Sequence, residues 1–264
     1  MLLVIDIGNT NTVFGVYDGE ELLGSWRIQT SSSRTHDELG VLLQTLTGTR
    51  GVALADVAAA IVSSVVPAAV YPMQRMCQQY CRIEPLLVGP GIRTGVPILY
   101  DNPKEVGADR IVNAVAAYHI VGDACVVVDF GTATTFDCIR ADGSYLGGII
   151  APGFQVSAEA LFKSTSKLPR VEPARPRKVI GRNTVHSIQS GLYYGYVDLV
   201  DGICRRIQAE MNEPHLKVLA TGGLARLISR ESSTIEQVVE DLTLLGLRLL
   251  HELNDTGTPG DSQE

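Results

Sequence analysis

Two stretches of this 264-residue chain set the same residue types in the same order, Val4-Ile5-Asp6-Ile7-Gly8-Asn9-Thr10-Asn11-Thr12 and Val127-Val128-Asp129-Phe130-Gly131-Thr132-Ala133-Thr134-Thr135. Each puts an aspartate at the end of an apolar run and follows it with glycine and a series of hydroxyl and amide side chains. That combination suits phosphate and cation chemistry. Glycine lets the backbone approach a ligand closely, and Asn9, Thr10, Asn11 and Thr12 offer donors to phosphate oxygens. Magnesium prefers one or two carboxylates plus phosphate oxygens, so the Asp6 carboxylate can hold that ion, and charge alone would place magnesium at Asp129 as well. A hairpin turn uses the same Gly-Asn and Asn-Thr pairs for its own reasons. Repetition after 123 residues, Asp6 to Asp129, favours two phosphate loops on duplicated halves over one ordinary turn.

Other nucleotide signatures are missing. No Gly-x-x-x-x-Gly-Lys-Ser/Thr sequence occurs, since Lys163-Ser164 lacks the preceding glycine, and no protein-kinase catalytic loop is present. A third nucleotide element is expected at Ala220-Thr221-Gly222-Gly223-Leu224-Ala225, where paired glycines follow a strand and can lie flat against adenine or ribose. Asp109 and Arg110 are adjacent charges, ordinarily a surface pair of little consequence. They follow a segment, Pro85 to Pro103, with four prolines and three glycines in nineteen residues, too broken for a long element and suited to a shaped pocket.

The elements that must position these groups follow from periodicity. Leu2 to Ile7, Thr12 to Tyr17 and Glu21 to Ile28 read as an antiparallel meander with turns at Gly8-Asn9-Thr10 and Asp18-Gly19. Asp142-Gly143 repeats the second turn with one extra residue. Thr35-His36-Asp37-Glu38 is a capping box opening a helix, Val57 to Val62 a strand, and Pro67 the first turn of a further helix. Gly107 to Val121 reads as helix, Ala124 to Phe130 as a buried strand, and Thr134 to Arg140 and Ser144 to Ile150 as a second meander. Asn183 to Met211 reads as a long, broken helical stretch, Leu216 to Ala220 as a strand, Ile235 to Leu253 as a closing helix, and the tail from Asp255 as disordered. The small-and-aromatic face Gly191, Tyr194, Gly195 suits close packing, in the core or across a dimer.

Composition narrows the class. A content of 45% hydrophobic residues can fill a core, and a net charge of −7 with both signs scattered argues against nucleic acid. No apolar run reaches a membrane span, and Met1 leads into an alternating segment, not a basic leader. Five cysteines, with Cys125, Cys138 and Cys204 inside apolar runs, point to free thiols and a cytoplasmic location; Cys77 and Cys81 lack a partner pair for zinc and read as core.

Duplicated Asp-Gly halves with a late Gly-Gly turn resemble the superfamily of acetate and sugar kinases, the heat-shock ATPase and actin. Within it the chain is similar to the type III pantothenate kinases. The resemblance is carried by Asp6-Ile7-Gly8-Asn9-Thr10, by Tyr100-Asp101-Asn102-Pro103 leading to Gly107-Ala108-Asp109-Arg110, by Asp129-Phe130-Gly131-Thr132-Ala133-Thr134-Thr135 and by Ile180-Gly181-Arg182-Asn183-Thr184. It implies an α/β fold of two ribonuclease H-like lobes, over residues 1–117 and 118–254, with the nucleotide cleft between them and residues 255–264 as a tail. It implies ATP-dependent phosphorylation of pantothenate to 4′-phosphopantothenate, the first step of coenzyme A synthesis. The run from Asp6 to Val13, Ile7 included, would hold magnesium-ATP together with Thr132. Asp109 would be the general base for the pantothenate hydroxyl and Arg110 the two-pronged partner of its carboxylate, with Tyr100, Gly107, Ala108 and Thr184 as further substrate contacts. Asp129 would bind a monovalent cation, potassium or ammonium. The resemblance also implies a homodimer, with Thr184 serving either its own pocket or the neighbour's. The residues alone leave open a catalytically silent nucleotide-binding regulator of the same fold or a kinase for another small acid or sugar. The intact Asp109 speaks against the first, and Arg110 favours an anionic substrate.

Overall fold

The computed structural model describes residues 1–255; apart from Asp255, the expected disordered tail lies outside the described residues. The chain forms two compact units. Among the described residues, one comprises Met1–Gly95, Asn102–Ala116 and 243–255, and the other Val96–Asp101 and Ala117–Leu242.

The first unit is built on a five-stranded sheet. Its strands are β1 (Leu2–Ile7), β2 (Asn11–Asp18), β3 (Glu21–Gln29), β4 (Ala59–Ser64) and β5 (Leu86–Leu87), in the order β3-β2-β1-β4-β5. Strand β1 is apolar at nearly every position because both of its faces are covered. Leu3, Ile5 and Ile7 pack with Leu39, Leu43, Met73 and Met76 on one side, while Val4 packs with Val112, Leu244, Leu247 and Leu250 on the other. The first face is closed by α1 (His36–Gly48) and α2 (Pro67–Met76). Helix α1 starts at the predicted capping box, with the Glu38 amide donating to Thr35 Oγ1 at 3.2 Å and the Thr35 amide donating to Glu38 Oε2 at 2.8 Å. The second face is closed by α3 (Ala108–Val121), within which the division between the units falls, and by α7 (Leu242–Asn254).

The second unit repeats the plan. Strands β6 (Cys125–Phe130), β7 (Ala133–Ile139), β8 (Tyr145–Pro152), β9 (Lys217–Gly222) and β10 (Gln237–Val238) lie in the order β10-β9-β6-β7-β8, which is the first sheet read from its other edge. The correspondence extends to irregularities. Val16 pairs with Gly24 and Tyr17 with Leu22, leaving Leu23 as a bulge; Cys138 pairs with Gly147 and Ile139 with Tyr145, leaving Leu146 as a bulge. The β6–β7 turn is one residue shorter than the β1–β2 turn, since Phe130 pairs with Thr134 where Ile7 pairs with Thr12. The extra residue near Asp142-Gly143 restores the frame. Bulges are features that a fold keeps, so a bulge shared at equivalent positions marks the sheets as copies.

Several elements differ from the expectation. The stretch expected to be a broken helix is one unbroken helix, α5 (Thr184–Met211), because Tyr193, Tyr196, Val197, Val200, Cys204 and Ile207 bury a continuous stripe that outweighs the helix cost of its glycines. The closing helix begins at Leu242 rather than Ile235, because Gln237 and Val238 pair with Leu219 and Ala220 as an edge strand. A helix not expected from the sequence, α4 (Phe154–Lys163), follows β8, and the short α6 (Ala225–Ile228) follows β9. All five cysteines are buried thiols outside any disulfide. No helix among the described residues is long and apolar enough to cross a membrane.

Candidate active site

Asp6 is the penultimate residue of β1, opposite Val13 of β2 and beside Ser63 of the parallel strand β4. Ser63 is fully buried, and its hydroxyl donates to Asp6 Oδ1 at 3.0 Å. The Asp6 carboxylate keeps a little of its surface open but is hemmed by protein on most sides. Burial, reinforced by the charge of Asp109, pushes its pKa up to about 7 against the opposing hydrogen bond from Ser63. The turn beyond it is closed by the Gly8 amide donating to the Asn11 carbonyl at 3.0 Å. Thr12 is turned inward: its hydroxyl lies 2.9 Å from that of Thr30, which in turn donates to the Gly8 carbonyl at 2.7 Å. Asn9 and Thr10 stand exposed at the tip. The turn is therefore braced from within by threonines and offers its amide and hydroxyl side chains outward.

Asp109 and Arg110 lie in the first turn of α3. Asp109 Oδ1 accepts from the Arg110 amide at 2.9 Å. A Cβ on Gly107 would stand 2.5 Å from that oxygen, so glycine is needed for the carboxylate to fold back. Burial raises the Asp109 pKa, opposed by the Arg110 amide and guanidinium. Arg110 is 7% exposed, far from the solvated surface charge that adjacent Asp and Arg usually form.

In the second unit Asp129 occupies the place of Asp6, opposite Thr135 and beside Thr221. Gly222 adopts φ +88, and a Cβ there would stand 2.6 Å from Asp129 Oδ1. Part of the reason for the Gly222-Gly223 pair is thus the approach of Asp129, whereas Gly223 faces open space. Thr132 is exposed at the tip of the tighter turn, and a Cβ on Gly153 would run into its carbonyl, so the start of α4 lies against this loop.

Tyr100 and Thr184 are also carried by the second unit. Tyr100 ends a strap whose Leu99 amide donates to the Tyr145 carbonyl at 2.8 Å. Thr184 opens α5 behind the Asn183 cap, whose side chain accepts from the His186 amide at 2.8 Å. It faces a hollow of about 760 Å³ that Leu161, Leu168, Arg182, Ile188 and Leu192 also line.

The family profile described as type III pantothenate kinase matches residues 2–206. A type III pantothenate kinase of Myxococcus xanthus is 58% identical over 254 residues, covering 96% of this chain and 99% of that one. One of Anaeromyxobacter sp. (strain K) is also 58% identical over 254 residues, covering 96% and 100%. The chain belongs to the type III pantothenate kinase family. Among solved structures, a ROK hexokinase of Thermus thermophilus matches with a TM-score of 0.51 at 13% identity, over 94% of this chain and 97% of that one, a likeness of fold alone. The duplicated α/β lobes are those of the actin-like kinases.

For this pantothenate kinase family member the residues present fit the ions that a phosphoryl transfer needs. Two carboxylates, Asp6 and Asp109, raise the cost of ionising Asp6, and a cation relieves that repulsion. At Asp129 the carboxylate itself takes the space that a Gly222 Cβ would need. Sequence reasoning missed Ser63. The signal was available, since Ser63-Ser64 ends the apolar run of β4 at the level where β1 ends in Asp6.

The raised Asp6 pKa has a thermodynamic consequence. In the unfolded chain the group titrates near 3.8 and in the folded chain near 7. The folded state therefore holds the proton more tightly, and the stability tied to this site is present below about pH 4 and lost as pH rises through 7. Asp6→Asn, which cannot ionise, should gain about 2 to 3 kcal/mol relative to wild type between pH 5 and pH 8 in chemical denaturation without magnesium or nucleotide. A difference that stays constant over that range refutes the burial of an ionisable Asp6.

Proposed function

We propose that the chain transfers the γ-phosphoryl group of ATP to the hydroxyl of pantothenate, giving 4′-phosphopantothenate and ADP, the opening step of coenzyme A synthesis. The observation that carries this reading is the pair of carboxylates in the first unit. Asp6 stands beside the braced, donor-rich turn, and Asp109 lies close enough to raise its pKa. One suits a phosphate-bound cation and the other a substrate proton.

In this reading the exposed Asn9 and Thr10, with the amides of the run from Asp6 to Val13, hold the ATP phosphates, and Thr132 adds a contact from the second loop. The Gly222-Gly223 turn receives the nucleoside. Asp6 would hold the magnesium that accompanies ATP, which would supply charge neutralisation at the phosphates. Arg110 pairs with the pantothenate carboxylate through its planar guanidinium, and Gly107, Ala108, Tyr100 and Thr184 serve as further substrate contacts. Asp109 takes the hydroxyl proton as the oxygen attacks phosphorus; the new O–P bond forms and the bond to the β–γ bridging oxygen breaks, releasing ADP. Burial raises the pKa of Asp109, which strengthens it as a base.

Asp109→Asn keeps an oxygen to accept from the Arg110 amide and loses only the basic site. It should lower kcat by about 10²–10⁴-fold, measured by coupled ADP release, with a melting temperature no lower than that of wild type. Near-normal turnover would remove Asp109 from the chemistry.

Asp129 serves a monovalent cation, potassium or ammonium, in support of phosphate binding. Its single carboxylate and the small Gly222 suit a loosely coordinated ion. Wild-type activity should fall sharply when potassium is replaced by sodium at constant ionic strength, and equal rates in the two salts would make this assignment wrong.

The assembly is a homodimer in which Thr184 completes the neighbour's pocket. Supporting this, Ile180 is 82% and Val179 64% exposed beside the hollow at Thr184, and a Cβ on Gly191 or Gly195 would meet nothing within 4 Å. Exposed apolar side chains and glycines open to close approach suit a symmetric interface. Mixing inactive Asp109→Asn with inactive Thr184→Arg should restore up to about a quarter of wild-type activity, because random pairing makes half the dimers mixed and each has one intact site of two. No recovery despite subunit exchange seen by mass spectrometry would confine Thr184 to its own chain.

A further inference from the structure

Tyr100 is seated by the opposing strand. The strap Val96–Asp101 runs beside β8 through two backbone hydrogen bonds: the Leu99 amide donates to the Tyr145 carbonyl, and the Tyr145 amide donates to the Pro97 carbonyl, both at 2.8 Å. Tyr145 is itself fixed. Its ring is fully buried, and its hydroxyl donates at 2.9 Å to Asp137 Oδ1, a carboxylate with no exposed surface. Two residues along, Gly147 closes the β8 bulge with φ +125, a backbone conformation that side-chain-bearing residues rarely adopt. A Cβ at Gly147 would lie 3.2 Å from both Cδ2 and Cε2 of the Tyr100 ring, closer than ordinary van der Waals contact.

The first unit shows what this notch is for. Gly24, the equivalent bulge glycine, has its missing Cβ covered by the Trp26 ring at 2.8 and 2.9 Å. Both bulges thus leave a glycine-floored notch that an aromatic ring fills. Rings packed over sheet glycines recover the contact that the glycine lacks. The ring's origin differs between the copies: Trp26 belongs to β3 itself and packs against the core, whereas Tyr100 arrives on the separate strap. Tyr100 is half-buried, and its hydroxyl makes no hydrogen bond among the described residues, so the seat fixes the ring and leaves its polar end available.

We propose that Gly147 is a positioning residue for pantothenate, holding Tyr100 at the height its substrate contact requires through the bulge notch of β8. This rests on Tyr100 being a substrate contact. A side chain at Gly147 displaces the ring by a few tenths of an ångström and strains the bulge, and displacements of this order at a substrate-orienting group carry large kinetic penalties.

The test is a double-mutant cycle on KM for pantothenate, with KM for ATP as internal control. Gly147→Ala should raise the pantothenate KM about tenfold and leave the ATP KM within about twofold. The double variant with Tyr100→Ala should be no worse than Tyr100→Ala alone, since both act through one ring. Gly24→Ala should lower the melting temperature without moving the pantothenate KM. Additive penalties in the cycle, or a normal pantothenate KM in Gly147→Ala alongside a raised one in Tyr100→Ala, overturn the seat but leave Tyr100 as a substrate contact. A normal KM in Tyr100→Ala overturns that underlying assignment and the seat with it. If Gly147→Ala does not fold, Leu99→Pro removes the strap amide that bonds Tyr145 without touching β8. It should give the same selective rise, and an unchanged pantothenate KM counts against the seat.

Discussion

The first unit is organised around a carboxylate kept where water cannot fully solvate it. Asp6 ends the strand that runs through the middle of its sheet, so the same pairing that fixes its position strips away its hydration. That is costly for an anion, and the raised pKa records the cost. The fold offsets it only in part, through the single hydroxyl of Ser63. A site in this condition gains from a cation, and the neighbouring Asp109 sharpens the demand. The braced turn, the glycine that lets Asp109 fold back and the burial of Arg110 are arranged around this one unfavourable charge.

Duplication explains why the second unit has a carboxylate at the same height, and divergence explains why it need not do the same work. Asp6 has Ser63 beside it donating a hydrogen bond. Asp129 has Thr221 in that register position, but the Thr221 hydroxyl is directed to the Glu240 carbonyl at 3.4 Å, and the adjacent Gly222 makes room for the carboxylate instead. The turns differ by one residue, and the bulges by the ring that fills them. Each change alters one contact and leaves the strand order intact, so the two loops can diverge on one architecture.

Much of this was legible in the amino-acid sequence alone. The repeat from Asp6 to Asp129, the capping box at Thr35 and the meander of each half depend on local pattern, and local pattern survives in one dimension. Asp6 and Asp129 could be named because the repeat puts a carboxylate at the end of an apolar run twice, and Asp109 and Arg110 through the family resemblance. Their burial could not be read, because it depends on residues far away in the chain: Ser63 reaches Asp6 across 57 positions, and Arg110 is covered despite lying beside a charged neighbour.

What the sequence determined, then, was the two meanders, the capping box and the repeat that singles out Asp6 and Asp129, since hydrophobic period, glycine placement and cap chemistry are properties of neighbouring residues. The tertiary structure alone decided the rest. It kept α5 unbroken through its glycines by packing one stripe against the core, drew Gln237 and Val238 into an edge strand and moved the start of the last helix, and set Tyr100 over Gly147. Each of these depends on a long-range contact whose free energy exceeds the local preference of the segment it reshapes, and no window of neighbouring residues contains both partners.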